Sequence, residues 1–149
     1  MALTMQKGAY RIVLCGTSLV VNTNEPKYSP ISENSFKKQG WFATSEVYVG
    51  IWKNKECVAC DIEGSSIDLS EFQLATLRSL LGHVEDSVFW LIGKASQLLC
   101  WSREHKFCGQ CGRKLLSHND EQAMHCASCN TMIYPRISPC IIVLVTRGE

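Results

Sequence analysis

A chain of 149 residues, 46% hydrophobic and 19% charged, is long enough to bury a core and too apolar to be disordered. Its formal net charge of +1 excludes a broadly basic surface and leaves room only for a local patch facing polyanions. The opening MALTMQKGAYRIVLCG has no continuous apolar h-region and no run approaches membrane-spanning length, so a soluble, cytoplasmic protein without membrane contact is expected.

Tyr10 to Cys15 and Leu19 to Asn22 are β-branched, apolar runs around Gly-Thr-Ser, which predicts a hairpin. Thr23 to Gly40, polar and holding two prolines, reads as an irregular connection. Val47 to Trp52 and Glu56 to Ile62 flank Lys53-Asn54-Lys55 and predict a second hairpin. Within it Cys57 and Cys60 form a CxxC, but residues i and i+3 of a strand face opposite ways, so the two thiols should not share a metal. A helix is expected after Ser70, which forms a capping box with Gln73, with Leu74, Leu77 and Leu81 at helical spacing before Gly82 ends it. A second helix is expected from Asp86 or Ser87 to about Ser102, its apolar stripe formed by Val88, Leu91, Ile92, Ala95, Leu98 and Leu99. Gly93 in that stripe suggests close packing against another element. Pro139 to Thr146 is one unbroken apolar run, which predicts a strand buried on both faces. With no later strand beside it, the chain is expected to stop at the threshold of another domain.

Four of the nine cysteines, Cys108, Cys111, Cys126 and Cys129, form two CxxC pairs separated by fourteen residues. CxxC turns let two thiolates converge on one ion, and two such turns complete a closed tetrahedral four-cysteine zinc site, with Gly109 and Gly112 easing the backbone. Such a site has no vacant position for water, so one structural Zn2+ per chain is expected. Lys106, Arg113 and Lys114 stand beside the first pair to offset thiolate charge. The alternatives for this pattern are a redox dithiol or two disulfides, which a reducing cytosol disfavours. The other five, Cys15, Cys57, Cys60, Cys100 and Cys140, read as free thiols among apolar residues.

The runs Ser102-Arg-Glu-His-Lys-Phe-Cys-Gly-Gln-Cys-Gly112, Cys126-Ala-Ser-Cys129 and Tyr134-Pro-Arg-Ile-Ser-Pro-Cys-Ile-Ile-Val143 closely resemble the NADH pyrophosphatases of the Nudix hydrolase superfamily. The resemblance is close over residues 70 to 149 and loose before that. It implies an α+β fold: an N-terminal mixed domain of β-hairpins and two helices (1–103), a four-cysteine zinc ribbon (104–136) and the first strand of a truncated Nudix domain (137–149). It further implies hydrolysis of NADH or NAD+ to nicotinamide mononucleotide and AMP, removal of NAD caps from RNA, and a homodimer. The catalytic Mg2+ or Mn2+ of that family sits in a glutamate-rich Nudix box, which none of these 149 residues supplies, so no catalytic residue is assigned and the chain alone is expected to be inactive. By position, Glu121, Tyr134 and Arg78 match the family's dinucleotide contacts. Each also has a plainer reading, as a solvated turn acid, a ribbon packing residue and a surface arginine respectively. The competing functional reading is a zinc-ribbon module that binds nucleic acid or protein without catalysis, using Lys106, Arg113, Lys114 and Arg136 against phosphate. That reading is weakened by Asp120 and Glu121 and by a shortage of interleaved aromatics. A bare scaffold that dimerises is the third.

Overall fold

The computed structural model describes residues 9–24, 28–118, 121–136 and 138–148. The chain divides into two compact units, one ending at Lys106 and one beginning at Phe107.

The first unit is a six-stranded mixed sheet. Strands β1 (Tyr10–Cys15) and β2 (Ser18–Asn22) form the first expected hairpin. Strands β4 (Ala43–Trp52) and β5 (Lys55–Ile62) form the second, turning on Lys53 and Asn54, both with positive φ, as a twisted two-residue hairpin requires. The order is β4-β5-β1-β2-β6, where β6 is Phe72–Ala75 and short β3 (Ile31–Ser32) also pairs β1. The pairing of β1 with β5 is parallel, Tyr10 opposite Cys57 through Leu14 opposite Asp61.

Alternation along the strands builds a core on each face. Ile12, Leu14, Leu19, Val21, Cys57 and Ala59 pack on one side with Leu80 and with Ile92, Ala95 and Leu99 of the long helix α2 (Asp86–Glu104). Val13, Val20, Cys60 and Ile62 pack on the other with Phe36, Trp41 and Phe72. Cys57 and Cys60 thus lie on opposite faces, and burial pushes both thiols up to about 12. They are core residues, as expected. At Gly93 an added Cβ would meet only Leu77 Cδ2 at 4.0 Å, an ordinary contact, so no close approach explains that glycine.

Three expectations need correction. Residues 71–81 are not a helix: Phe72–Ala75 is strand β6, paired with β2, followed by a 3-10 turn at Leu77–Leu80. Phe72 is buried while Leu74 is half exposed, and bonding to a ready sheet edge overrode a helical spacing of leucines. The supposed irregular connection holds β3 and a short helix, α1 (Glu33–Lys38), whose N-cap Ser32 accepts from the Ser35 amide. The stretch 138–148 forms no strand, and Ile141 to Val145 lie exposed. A strand is stable only when a neighbour takes up its backbone bonds, and these residues have no ladder partner.

Two polar clusters, built on buried Arg11 and Glu33 and on buried Asp61, tie the first unit together. Arg11 stacks over Phe36 and donates to Glu33 and Glu46. Asp61 accepts from the Gly16 amide at 3.0 Å and from Arg103 at 2.8 Å, and Arg103 also reaches the Gly16 carbonyl, so the last turn of α2 is pinned to the β1–β2 turn.

The second unit holds a small antiparallel sheet, β7 (Leu116–Ser117), β8 (Met124–Cys126) and β9 (Thr131–Ile133). Among the described residues no helix is long and apolar enough to cross a membrane.

Candidate metal centre

Each CxxC folds as a tight knuckle followed by a left-handed residue. After Cys111 that residue is Gly112, φ 70°, whose amide donates to the Cys108 carbonyl at 2.8 Å. After Cys129 it is Asn130, φ 52°, the residue type that best tolerates this conformation after glycine. Gly109 is not in that region, so Gly112 alone needs the freedom expected of the pair. The Cys108 amide donates to the Arg113 carbonyl at 2.7 Å, and the Arg113 guanidinium reaches Ser128 Oγ at 2.8 Å, lacing one knuckle to the other.

The four sulfurs of Cys108, Cys111, Cys126 and Cys129 lie within 4.8 Å of one another, with Cys108 and Cys129 4.0 Å apart and Cys111 and Cys126 3.6 Å apart. Tetrahedral thiolates at the usual Zn–S length stand about 3.8 Å apart, so the cluster has the size of a four-cysteine zinc site. Its electrostatics fit a cation. Amides of Cys111 and Gln110 hold the Cys108 thiol down to about 7, whereas the Cys111 thiol and burial push Cys129 up to about 12. A thiolate at Cys129 beside that of Cys108 is therefore favoured only by positive charge between them.

The histidines have other partners. His105 bonds the Trp101 carbonyl at 2.8 Å, His125 meets Asn130 Oδ1 at 3.3 Å, and the rings of His118 and His125 lie edge to face. Of the three residues matched to dinucleotide contacts, two come together: Tyr134 Oη donates to Glu121 Oε2 at 2.6 Å, and that carboxylate raises the tyrosine pKa. Arg78 is exposed on the 3-10 turn of the first unit. The Arg113–Ser128 and Asn130–His125 contacts are the features that sequence spacing missed; Asn130, placed like Gly112 after its knuckle, was the available signal.

Taken together, fold and site define a two-unit α+β protein with a thiolate zinc ribbon. Residues 8–101 match the family described as an NADH pyrophosphatase-like rudimentary NUDIX domain, and residues 103–134 match the NADH pyrophosphatase zinc ribbon domain. The chain belongs to the NADH pyrophosphatase family of Nudix proteins. It is similar to the NAD-capped RNA hydrolase NudC of Pseudomonas aeruginosa, 35% identical over 113 residues that cover 76% of this chain and 40% of that protein. The NudC of Pseudomonas syringae pv. tomato is 48% identical over 73 residues, 49% of this chain and 26% of its own length. That of Stutzerimonas stutzeri is 44% identical over the same shares. The chain thus spans less than half the length of these relatives.

Proposed function

We propose that this chain is the N-terminal and zinc-ribbon portion of a cytoplasmic, homodimeric NAD(H) diphosphatase that hydrolyses NADH or NAD+ to nicotinamide mononucleotide and AMP and acts on NAD-capped RNA. Its parts are an NADH pyrophosphatase-like domain (1–103), a zinc ribbon (104–136) and a segment (137–149) that becomes the first strand of a Nudix domain only where a sheet edge takes up its backbone bonds. Cys108, Cys111, Cys126 and Cys129 hold one structural Zn2+. Zinc in that closed site supplies folding energy and no activated water. Arg78, Glu121 and Tyr134 contact the dinucleotide: Tyr134 offers a flat ring to a base, Glu121 an acceptor for hydroxyl or amine protons, and Arg78 a cation for phosphate. Mg2+ or Mn2+ chemistry belongs to a Nudix box, which these residues lack.

The observation that carries the dinucleotide reading is the Glu121–Tyr134 hydrogen bond, which joins two matched positions thirteen residues apart. NADH titrated into the zinc-loaded, isotope-labelled chain tests it. Chemical-shift changes are expected at Glu121 and Tyr134, with affinity falling about tenfold in Tyr134→Ala, the size of a lost stacking contact. Affinity unchanged by that substitution would refute the contact. Mg2+-dependent cleavage of NADH by the 149-residue chain would refute the division of labour.

A further inference from the structure

The ribbon sheet has two unlike faces. Leu116, His125 and Met132 lie opposite one another across the three strands, and the row beside them is Ser117, Met124 and Ile133. Neighbouring rows point to opposite sides. Met124, Cys126 and Leu115 are buried, so the side they share is the inner one.

The outer side carries Leu116, His125 and Met132. An antiparallel bridge extends it by pairing Phe107 with Lys114, two residues before Leu116. At the other end the His118 amide bonds the Ala123 carbonyl, and Tyr134 follows Ile133, continuing the alternation. The edge-to-face packing of His118 on His125 places these neighbouring rows on one side. Phe107, Leu116 and Tyr134 are 64%, 56% and 51% exposed there.

Two exposed aromatics, a lysine and two histidines therefore share one face, and among the described residues none of its rows contains a carboxylate. Glu121, the described acid at its edge, already accepts a hydrogen bond from Tyr134 Oη. Arg113 and Arg136 lie next to the face in sequence, and both are exposed. A solvated sheet face is normally polar, whereas one that receives unpaired bases needs aromatic platforms with cations beside them. The expectation that the ribbon lacks interleaved aromatics fails because Phe107 and Tyr134, 27 positions apart in the chain, are brought to one side by the fold.

We infer that the outer face of the ribbon sheet binds single-stranded RNA, running from Tyr134 across Leu116 and His125 to Phe107 and Lys114. This rests on the proposed dinucleotide contact at Tyr134: an RNA chain joined to a dinucleotide held there leaves along the face continuous with it. Bases stack on Phe107, and Lys114 neutralises a phosphate. A duplex keeps its bases paired and cannot use the platform.

The test is fluorescence anisotropy of the zinc-loaded 149-residue chain with an uncapped 12-nucleotide single-stranded RNA, at two salt concentrations. Phe107→Ala is expected to raise Kd about tenfold, as for loss of one stacked base. Lys114→Gln is expected to weaken binding at low salt and reduce the salt slope by about one. Trp90→Ala, at an exposed aromatic of the other unit, should change nothing. Zinc stoichiometry verifies folding of each variant, and Phe107→Trp should keep affinity while its added fluorescence is quenched by RNA. Absent binding, equal binding of duplex, or insensitivity to Phe107→Ala and Lys114→Gln overturns the inference. So does self-association lost in Leu116→Glu with RNA affinity unchanged, which assigns the face to a second copy. Because the RNA carries no dinucleotide, NADH binding without RNA binding sinks this inference alone, and the reverse sinks only the Tyr134 contact.

Discussion

Removing the metal should unfold the ribbon and spare the rest. Within residues 107–136 the buried apolar side chains are Leu115, Ala123 and Met124, with Cys108 and Cys126 beside them. At about 1.5–3 kcal/mol each for Leu115 and Met124 and less than about 1 for Ala123, they supply about 7 kcal/mol at most. Structural zinc in small domains is worth about 10–16 kcal/mol near neutral pH, so the metal is the larger contribution. The first unit stands on two apolar clusters and a six-stranded sheet, none of which involves the four thiols. Hydrogen exchange followed residue by residue during chelator titration is the assay. Amides of 107–133 should lose protection as zinc leaves, while those of β1, β5 and α2 keep theirs. Cys108→Ser should act alike, lowering bound zinc from one per chain. Ribbon protection that persists in metal-free protein, or simultaneous melting of both units, would refute the reasoning.

Other outcomes follow from the same contacts. Burial alone would push the Glu33 carboxyl up, but hydrogen bonds from Arg11 and Lys37 outweigh it and hold the pKa below normal. A depressed carboxylate stabilises above its unfolded pKa and loses that contribution as pH falls through the folded value. Urea midpoints should therefore drop below about pH 4, and less steeply in Glu33→Gln. Asp61→Ala removes the acceptor of Gly16 and Arg103 and should cost about 2 kcal/mol, read as a lower thermal midpoint with α2 fraying first at Arg103. In the zinc-loaded chain a thiol reagent at pH 8 should modify exposed Cys140 at once and leave Cys57 and Cys60 until denaturant is added, since burial holds both near 12.

What the sequence made legible was whatever local spacing determines. The CxxC pairs, the Lys53-Asn54 hairpin and the stripe of α2 each depend on residues within one turn or one helix, and each is where spacing put it. The leucines at 74, 77 and 81 misled because their spacing fits a helix while the edge of β2 offered a ladder to Phe72–Ala75, and a single sequence carries no record of that edge. Helix α1 was hidden because only Phe36 of its six residues is a buried apolar anchor. Glu121 and Tyr134 were matched by resemblance, while their hydrogen bond belongs to the ribbon fold and to no local pattern.

The parallel pairing of β1 with β5 also orders the folding of the first unit. Cys15 meets Ser18 across a two-residue turn, and Trp52 meets Lys55 across another, so both hairpins can close as soon as each is made. Tyr10 waits for Cys57, and Asn22 for Phe72. During synthesis the first hairpin must therefore exist with unsatisfied edges until the second emerges, and the sheet is sealed only when β6 arrives. Aggregation in this protein should begin from that interval, with β1 as the exposed strand.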